Sequence, residues 1–320
     1  HAINLRVGEG KPPDNSNPGL HISGRVDELV ATEWRNIIKS RTVDKNASGT
    51  SLIQSGIYLD LQVGAMELLH HQFPDVALSI RRPDKYWNFE LDSEAIAGNI
   101  KIPLDRNADN LISFQLDKLE MNKEQQKSGG EKSKKLDPKG IPAIEGRVSE
   151  FIFNNFELGE MSLQTAPMDN GLSIEKITFE KPDLMISGSG DWRGAEVNDH
   201  SNFDIELHAN KMEAMLTTFD YNQTPVKKGE TKLQLNASWT GTPMDFSLGR
   251  VKGSLDMQIS KGQILDVNPS AGRLFGLFSL QTLSRRLTLD FSDIFGKGLA
   301  FDRIEGSFNI DNGNAYTNDL

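Results

Sequence analysis

The feature that most limits what this chain can fold into is a strict alternation of apolar and polar side chains. Phe203, Ile205, Leu207 and Ala209 each sit between polar neighbours, the period of a strand with one oily and one wetted face. The same rhythm returns in Ile57, Leu59, Leu61 and Val63, in Val76, Leu78 and Ile80, in Trp87, Phe89 and Leu91, and in Ile112, Phe114 and Leu116. After residue 150 it becomes more regular, through Leu172 and Ile174, Ile177 and Phe179, Leu184 and Ile186, then Leu233, Leu235, Ala237 and Trp239. Turn residues separate the runs. Met244, Phe246 and Leu248 read as one more strand, pairing with Leu255, Met257 and Ile259. A loose repeat places a tryptophan and a turn at the end of a strand twice, at Trp192 and Trp239. The class is therefore mainly β, with a few short helices.

Three segments break the rhythm. Asp27 suits the cap of a short helix with Val30, Trp34, Ile37 and Ile38 on one face, and residues 211–219 offer Met212, Met215, Leu216 and Phe219 as a helical packing stripe. The third needs a partner most. Asn268 and Pro269 open a helix over 269–283 whose Leu274, Phe275, Leu277, Phe278, Leu280 and Leu283 carry Arg273 as their only charge. Burying six such side chains is worth roughly 9 to 18 kcal/mol. The helix is too short to span a bilayer, so the protein core, a membrane surface and a lipid-filled cavity are the candidate receivers. Arg285 and Arg286 then lead into Leu287, Leu289 and Phe291, a half-buried strand.

Charge and missing motifs exclude several classes. With 45 acidic and 35 basic residues the formal charge is -10, which argues against a general affinity for nucleic acid. There is no cysteine, hence no thiolate chemistry and no Cys-based metal site. Walker A, HExxH, GxSxG and EF-hand patterns are missing. Gly188-Ser189-Gly190 reads as a strand-end turn, Asp311-Asn312-Gly313 as a hairpin turn, and all six histidines as surface residues. No catalytic residue, metal site or cofactor is expected. Residues 122–140 hold six lysines against three acids and too little apolar surface to order themselves. The chain opens inside a strand pattern and stops just after a turn, which reads as a piece of a longer protein, with any membrane anchor lying elsewhere.

DPKGIPA, LGEMSLQTAP, NGLSIEKITFEKP and SGSGDW between residues 137 and 192, WTGTP at 239–243, the stretch from 261 to 320, and GLHISGRVDEL with Trp34 near the start resemble the AsmA-like family of Gram-negative bacteria. The match covers nearly the whole chain. The resemblance implies the periplasmic part of an inner-membrane-anchored protein, linked to phospholipid transport toward the outer membrane. It also implies an elongated, curved antiparallel β-sheet forming an open apolar groove. On that reading residues 1–320 are one continuous β-groove fragment, with a first groove segment at 1–120, a disordered Lys-rich loop at 121–143 and an AsmA-like segment at 144–320 that holds the 269–283 helix.

The expected function is then a segment of a bridge-like lipid transport protein that carries phospholipid between inner and outer membranes and does no covalent chemistry. The alternative is a periplasmic scaffold or chaperone-like factor for outer-membrane assembly, whose sheet edges bind partners by strand addition. Phospholipid is the expected partner, the two membranes are reached through other parts of the protein, and no nucleic acid is involved. The expected lining is Phe203, Ile205 and Leu207; Leu233, Leu235 and Ala237; Phe246 and Leu248; Leu255, Met257 and Ile259; Leu287, Leu289 and Phe291; and Phe308 and Ile310. Ordinary core packing gives the same pattern. The helix residues from Leu274 to Leu283 would lie in the groove, and Arg273, Arg285 and Arg286 either meet phosphate at its rim or are solvated strand-end arginines.

Overall fold

A computed structural model describes residues 2–8, 17–30, 56–68, 71–82, 85–104, 111–122, 137–194, 199–221, 226–264 and 299–317. Contacts divide the chain into two units, His1–Leu136 with Pro142–Met161, and Asp137–Ile141 with Ser162–Leu320. The first holds β1 (Ala2–Val7), β2 (Gly19–Val30), β3 (Ile57–Leu68), β4 (His71–Arg81), β5 (Tyr86–Asp92), β6 (Ile96–Pro103), β7 (Ile112–Met121) and β8 (Ile144–Phe153). The boundary falls inside β9 (Phe156–Met168). The second holds β10 (Gly171–Lys181), β11 (Leu184–Arg193), β12 (His200–Ala209), α1 (Met212–Thr218), β13 (Val226–Thr240), β14 (Lys252–Ile264), β15 (Leu299–Asp311) and β16 (Asn314–Tyr316). Hydrogen-bonded order follows chain order from β1 to β16 in one unclosed sheet. Among the described residues α1 is the one α-helix.

Most ladders are antiparallel because most connections are tight. Asn154 and Asn155, both at positive φ (50° and 68°), turn β8 into β9, and Asn312 and Gly313 (49° and 76°) do the same between β15 and β16, the backbone that favours Asn and Gly in two-residue hairpins. Three ladders instead run parallel: β1 with β2, β2 with β3, and β7 with β8. The sheet is antiparallel as expected apart from these steps. The connections at those steps are residues 8–18, 31–56 and 122–143, long enough to return the chain to the starting end of the previous strand. Length permits the crossover without requiring it, since β14 and β15 pair antiparallel across residues 265–298.

Local readings shift in four places. The strand β2 runs through Val30, held by the ladder that pairs Val30 with Glu67, so no helix starts at Asp27; Trp34, Ile37 and Ile38 lie outside the described residues. The 186–192 stretch is one strand with Gly188 and Gly190 inside it. Pro243–Asp245 and Leu248–Arg250 are 3-10 turns, the first closed by reciprocal Thr242 and Asp245 bonds in a capping box, so Phe246 and Leu248 do not form a strand. His21 and His71 are buried. His21 stacks on Tyr58 with ring centroids 4.5 Å apart, and its Nε2 lies 3.0 Å from the Asn17 carbonyl oxygen.

Unit 1 has an apolar and a polar sheet face. Ile22, Leu59, Ile80, Phe89, Ile100 and Phe114 form one cross-strand row. On the opposite face Asp60 accepts from Arg81 at 2.6 Å and from Ser79 at 2.7 Å. Burial works against the ionised Asp60 carboxylate, yet these two bonds and the Arg81 charge hold its pKa below the usual value. Of the 121–143 stretch, Met121 ends β7 and Pro138–Gly140 is a 3-10 turn capped by Asp137; residues 123–136 lie outside the described set.

Candidate functional site

Unit 2 carries the alternation into space. Paired residues of neighbouring strands share a face, so the ladders align Phe179, Ile186, Leu207, Leu233 and Met257 in one row. The next row holds Ile177, Gly188, Ile205, Leu235, Leu255 and Phe308. The row beyond holds Ile174, Gly190, Phe203, Ala237, Gly253 and Ile310. A phase problem in the sequence is solved by a bulge between Ile174 and Ile177, where an extra residue returns both to one face. The other face is mainly polar: Thr178, Ser187, Glu206, Gln234, Asp256 and Ser307 form one of its rows. There Ser307 donates to Asp256 at 2.6 Å and Asn236 to Asp204 at 2.5 Å.

Two structures flank the middle row. On one side α1 lies over the sheet, its Met212 and Leu216 clustered with Met257, Ile259 and Phe308. The spacing of Met212, Met215 and Leu216 makes this stripe. On the other side Phe203 stacks on Trp239 at 5.3 Å, and Phe246 meets the same indole edge-on at 5.3 Å. The Trp239 Nε1 donates to the Thr242 carbonyl at 2.9 Å, so the 3-10 turn that displaced the expected strand anchors the aromatic wall. Gly190 lets it form, since a Cβ there would meet the Asn202 carbonyl oxygen at 2.2 Å and the Phe203 ring at 2.9 Å. Between helix and wall Ile205, Leu235 and Leu255 remain only half-buried.

Of the residues expected to line a groove, Phe203, Leu207, Ala237, Met257, Ile259 and Phe308 are buried on this face, and Leu233 and Ile310 are half-buried. Phe246 reaches the face from its turn. Leu248 does not; it is 73% exposed, a correction that follows from the turn carrying it away from the ladder. Leu287, Leu289, Phe291, the helix residues Leu274, Phe275, Leu277, Phe278, Leu280 and Leu283, and Arg273, Arg285 and Arg286 lie outside the described residues. Sequence reasoning left Phe179, Leu184, Ile186, Ile304 and Trp192 out of the lining. Their alternation was visible, but only the register joins them to these rows.

Ion pairs lie at the edge of the apolar face and on its polar reverse. Lys211 Nζ donates to Asp183 Oδ2 at 2.8 Å; that bond holds Asp183 below the usual carboxylate range and Lys211 above its usual value. His208 lies 3.0 Å from Glu230 and with Lys232 lowers its carboxyl pKa. Among the described residues no cluster of His, Cys, Asp or Glu has the makings of a metal site, and no helix is long and apolar enough to cross a membrane.

Comparison with known proteins places the geometry in context. The chain matches the family described as YhdP protein over residues 1–320. It is similar to the intermembrane phospholipid transporter YhdP of Escherichia coli (strain K12), 24% identical over 188 residues, which cover 58% of this chain and 15% of that protein. The chain thus spans a small part of that relative's length. No solved structure matches.

Proposed function

Because the chain belongs to the YhdP protein family, we propose that it is a segment of a bridge-like protein whose apolar sheet faces shelter phospholipid acyl chains in transit between inner and outer membranes. The observation that carries this reading is the half-buried row of Ile205, Leu235 and Leu255, an apolar strip that runs between the aromatic wall and α1, whose cluster Leu255 borders. Shelter for an acyl chain is worth about 0.8 kcal/mol per CH₂. A row of similar aliphatic side chains gives that shelter equally at successive strands, so sliding meets small barriers, while the head group stays in water. No bond is made or broken, and no cofactor takes part. The segment acts in the periplasm as part of an inner-membrane-anchored protein, with the membranes reached through its other parts. The relative named for phospholipid transport supports the cargo class.

Photocrosslinking tests this directly. A diazirine amino acid at Leu235 labels phospholipid in cells, and the same probe at Asn236, one residue along on the polar face, does not. Labelling from both positions alike, or from neither, would refute a one-sided acyl path.

A further inference from the structure

The strip beneath α1 is chemically the equal of its open neighbour, and what covers it is weakly held. A helix of seven residues does not persist alone in water, and no side chain caps its start. Its polar attachments sit at its ends and rim. Lys211 Nζ donates to Asp183 Oδ2 at 2.8 Å, the Lys228 backbone N–H to Glu213 Oε1 at 2.8 Å, and Lys181 Nζ to Thr218 Oγ1 at 3.2 Å. The Lys228 N–H is available because Lys228 and Gly229 adopt positive φ (60° and 82°) and leave the regular strand path.

Two buried polar atoms at this junction find no hydrogen-bond partner among the described residues: Glu213 Oε2 and Thr231 Oγ1. Thr231 stands between Ala209 and Ile259 in the ladders, fully buried. A buried group left unpaired costs about 1 to 3 kcal/mol, and Glu213, carried on the helix itself, would recover that cost in water when the helix lifts. The docked position is therefore undercut by its own polar groups. Its apolar contacts are made in part by Met212, Met215 and Met257, unbranched side chains that repack readily around a different occupant.

We infer that α1 is a displaceable cover over a second acyl-binding strip. When it lifts, Leu207, Leu233 and Met257 take a hydrocarbon chain beside the one at Ile205, Leu235 and Leu255. Alternate residues along a strand stand roughly 7 Å apart, so two adjacent rows suit the two chains of a diacyl lipid, whereas the covered face suits one. This assignment rests on the lipid reading above and adds the closed and open states to it.

The chain contains no cysteine, so Met215→Cys with Leu233→Cys, joined by a short bis-maleimide in the whole protein with any cysteine outside this chain replaced by serine, locks α1 down selectively. Diazirine probes at Met257 and at Leu255 then report the two strips. Locking should lower phospholipid labelling at Met257 about tenfold and leave labelling at Leu255 within about twofold. Equal labelling at Met257 in locked and free protein overturns the cover, as does labelling confined to Leu255 in both. Loss of labelling at both positions in the free protein instead overturns the lipid reading itself. Should the pair not crosslink, Lys211→Ala with Glu213→Ala removes two attachments and should raise Met257 labelling several-fold; no rise overturns the proposal.

Discussion

Two neighbouring rows of the same ladders differ in how far α1 covers them. Leu207 and Met257 lie under α1 and are 9% and 8% exposed, with Leu233 between them half-buried. Ile205, Leu235 and Leu255, one row along, are all half-buried, and Phe308 at the end of that row is buried against the α1 cluster. At the central strands β12, β13 and β14 both rows are aliphatic or thioether side chains on the same ladders. The contrast teaches that alternation decides which side chains share a face, and that a separate segment decides which of them water reaches. Substitutions can break that contrast. Met257→Asp buries an unpaired charge against Met212, Leu216 and Ile259 and should cost on the order of 4 kcal/mol. Leu255→Asp, half-buried at the edge of that cluster, leaves its carboxylate partly solvated and should cost about 2 kcal/mol while abolishing lipid labelling at Leu235. Urea midpoints of the two variants measure the difference, and equal costs would mean that the rows are equally covered.

The wall on the far side of the open row offers the next largest effect. Gly190→Ala drives a Cβ into the Asn202 carbonyl and the Phe203 ring, and overpacking of this kind costs about 2 kcal/mol. Gly249→Ala, where a Cβ meets nothing within 4 Å, should stay within about 0.5 kcal/mol. A matched pair of urea melts decides it. If Gly190→Ala is as mild as Gly249→Ala, the Phe203 and Trp239 stack does not depend on the glycine, and the open row owes its width to something else.

The strands and the helix stripe were legible because both rest on local periodicity. The bond partners were not. Nothing in Leu172, Ile174, Ile177 and Phe179 states that a bulge will bring the two pairs into phase, since that depends on the partner strand supplying Gly188 and Gly190. The parallel steps were hidden for a similar reason: a long polar connection looks alike whether it returns the chain to the near or the far end of a strand. Leu248 was misread because Thr242 and Asp245 close a capping box that outcompetes two apolar residues spaced like a strand. His21 was misread because its stacking partner Tyr58 lies on a strand paired across a long connection. The α1 stripe was visible as Met212, Met215 and Leu216; that it would cover one apolar row and leave the next open was not.

The smallest effect concerns the Lys211 and Asp183 attachment at the edge of the covered row. The bond from Lys211 lowers the Asp183 pKa below its ordinary 3.8, so its contribution to docking is complete above that value and disappears as pH falls through the lowered one. The Lys211 pKa is raised above its ordinary 10.5 by Asp183, so its contribution is complete below 10.5 and disappears as pH rises through the raised value. Between those limits the attachment is indifferent to pH. Both groups are exposed, so the change is modest, and it belongs to the covered row alone. Oxidation of Met257 by peroxide, compared between the unaltered chain and Asp183→Asn, should be slower in the unaltered chain at pH 7. As pH drops below the lowered Asp183 value the two rates should converge, because both chains then carry a neutral side chain at position 183. A difference that persists unchanged in acid would mean that the ion pair does not hold α1 over its row, leaving that task to Glu213 and the apolar contacts.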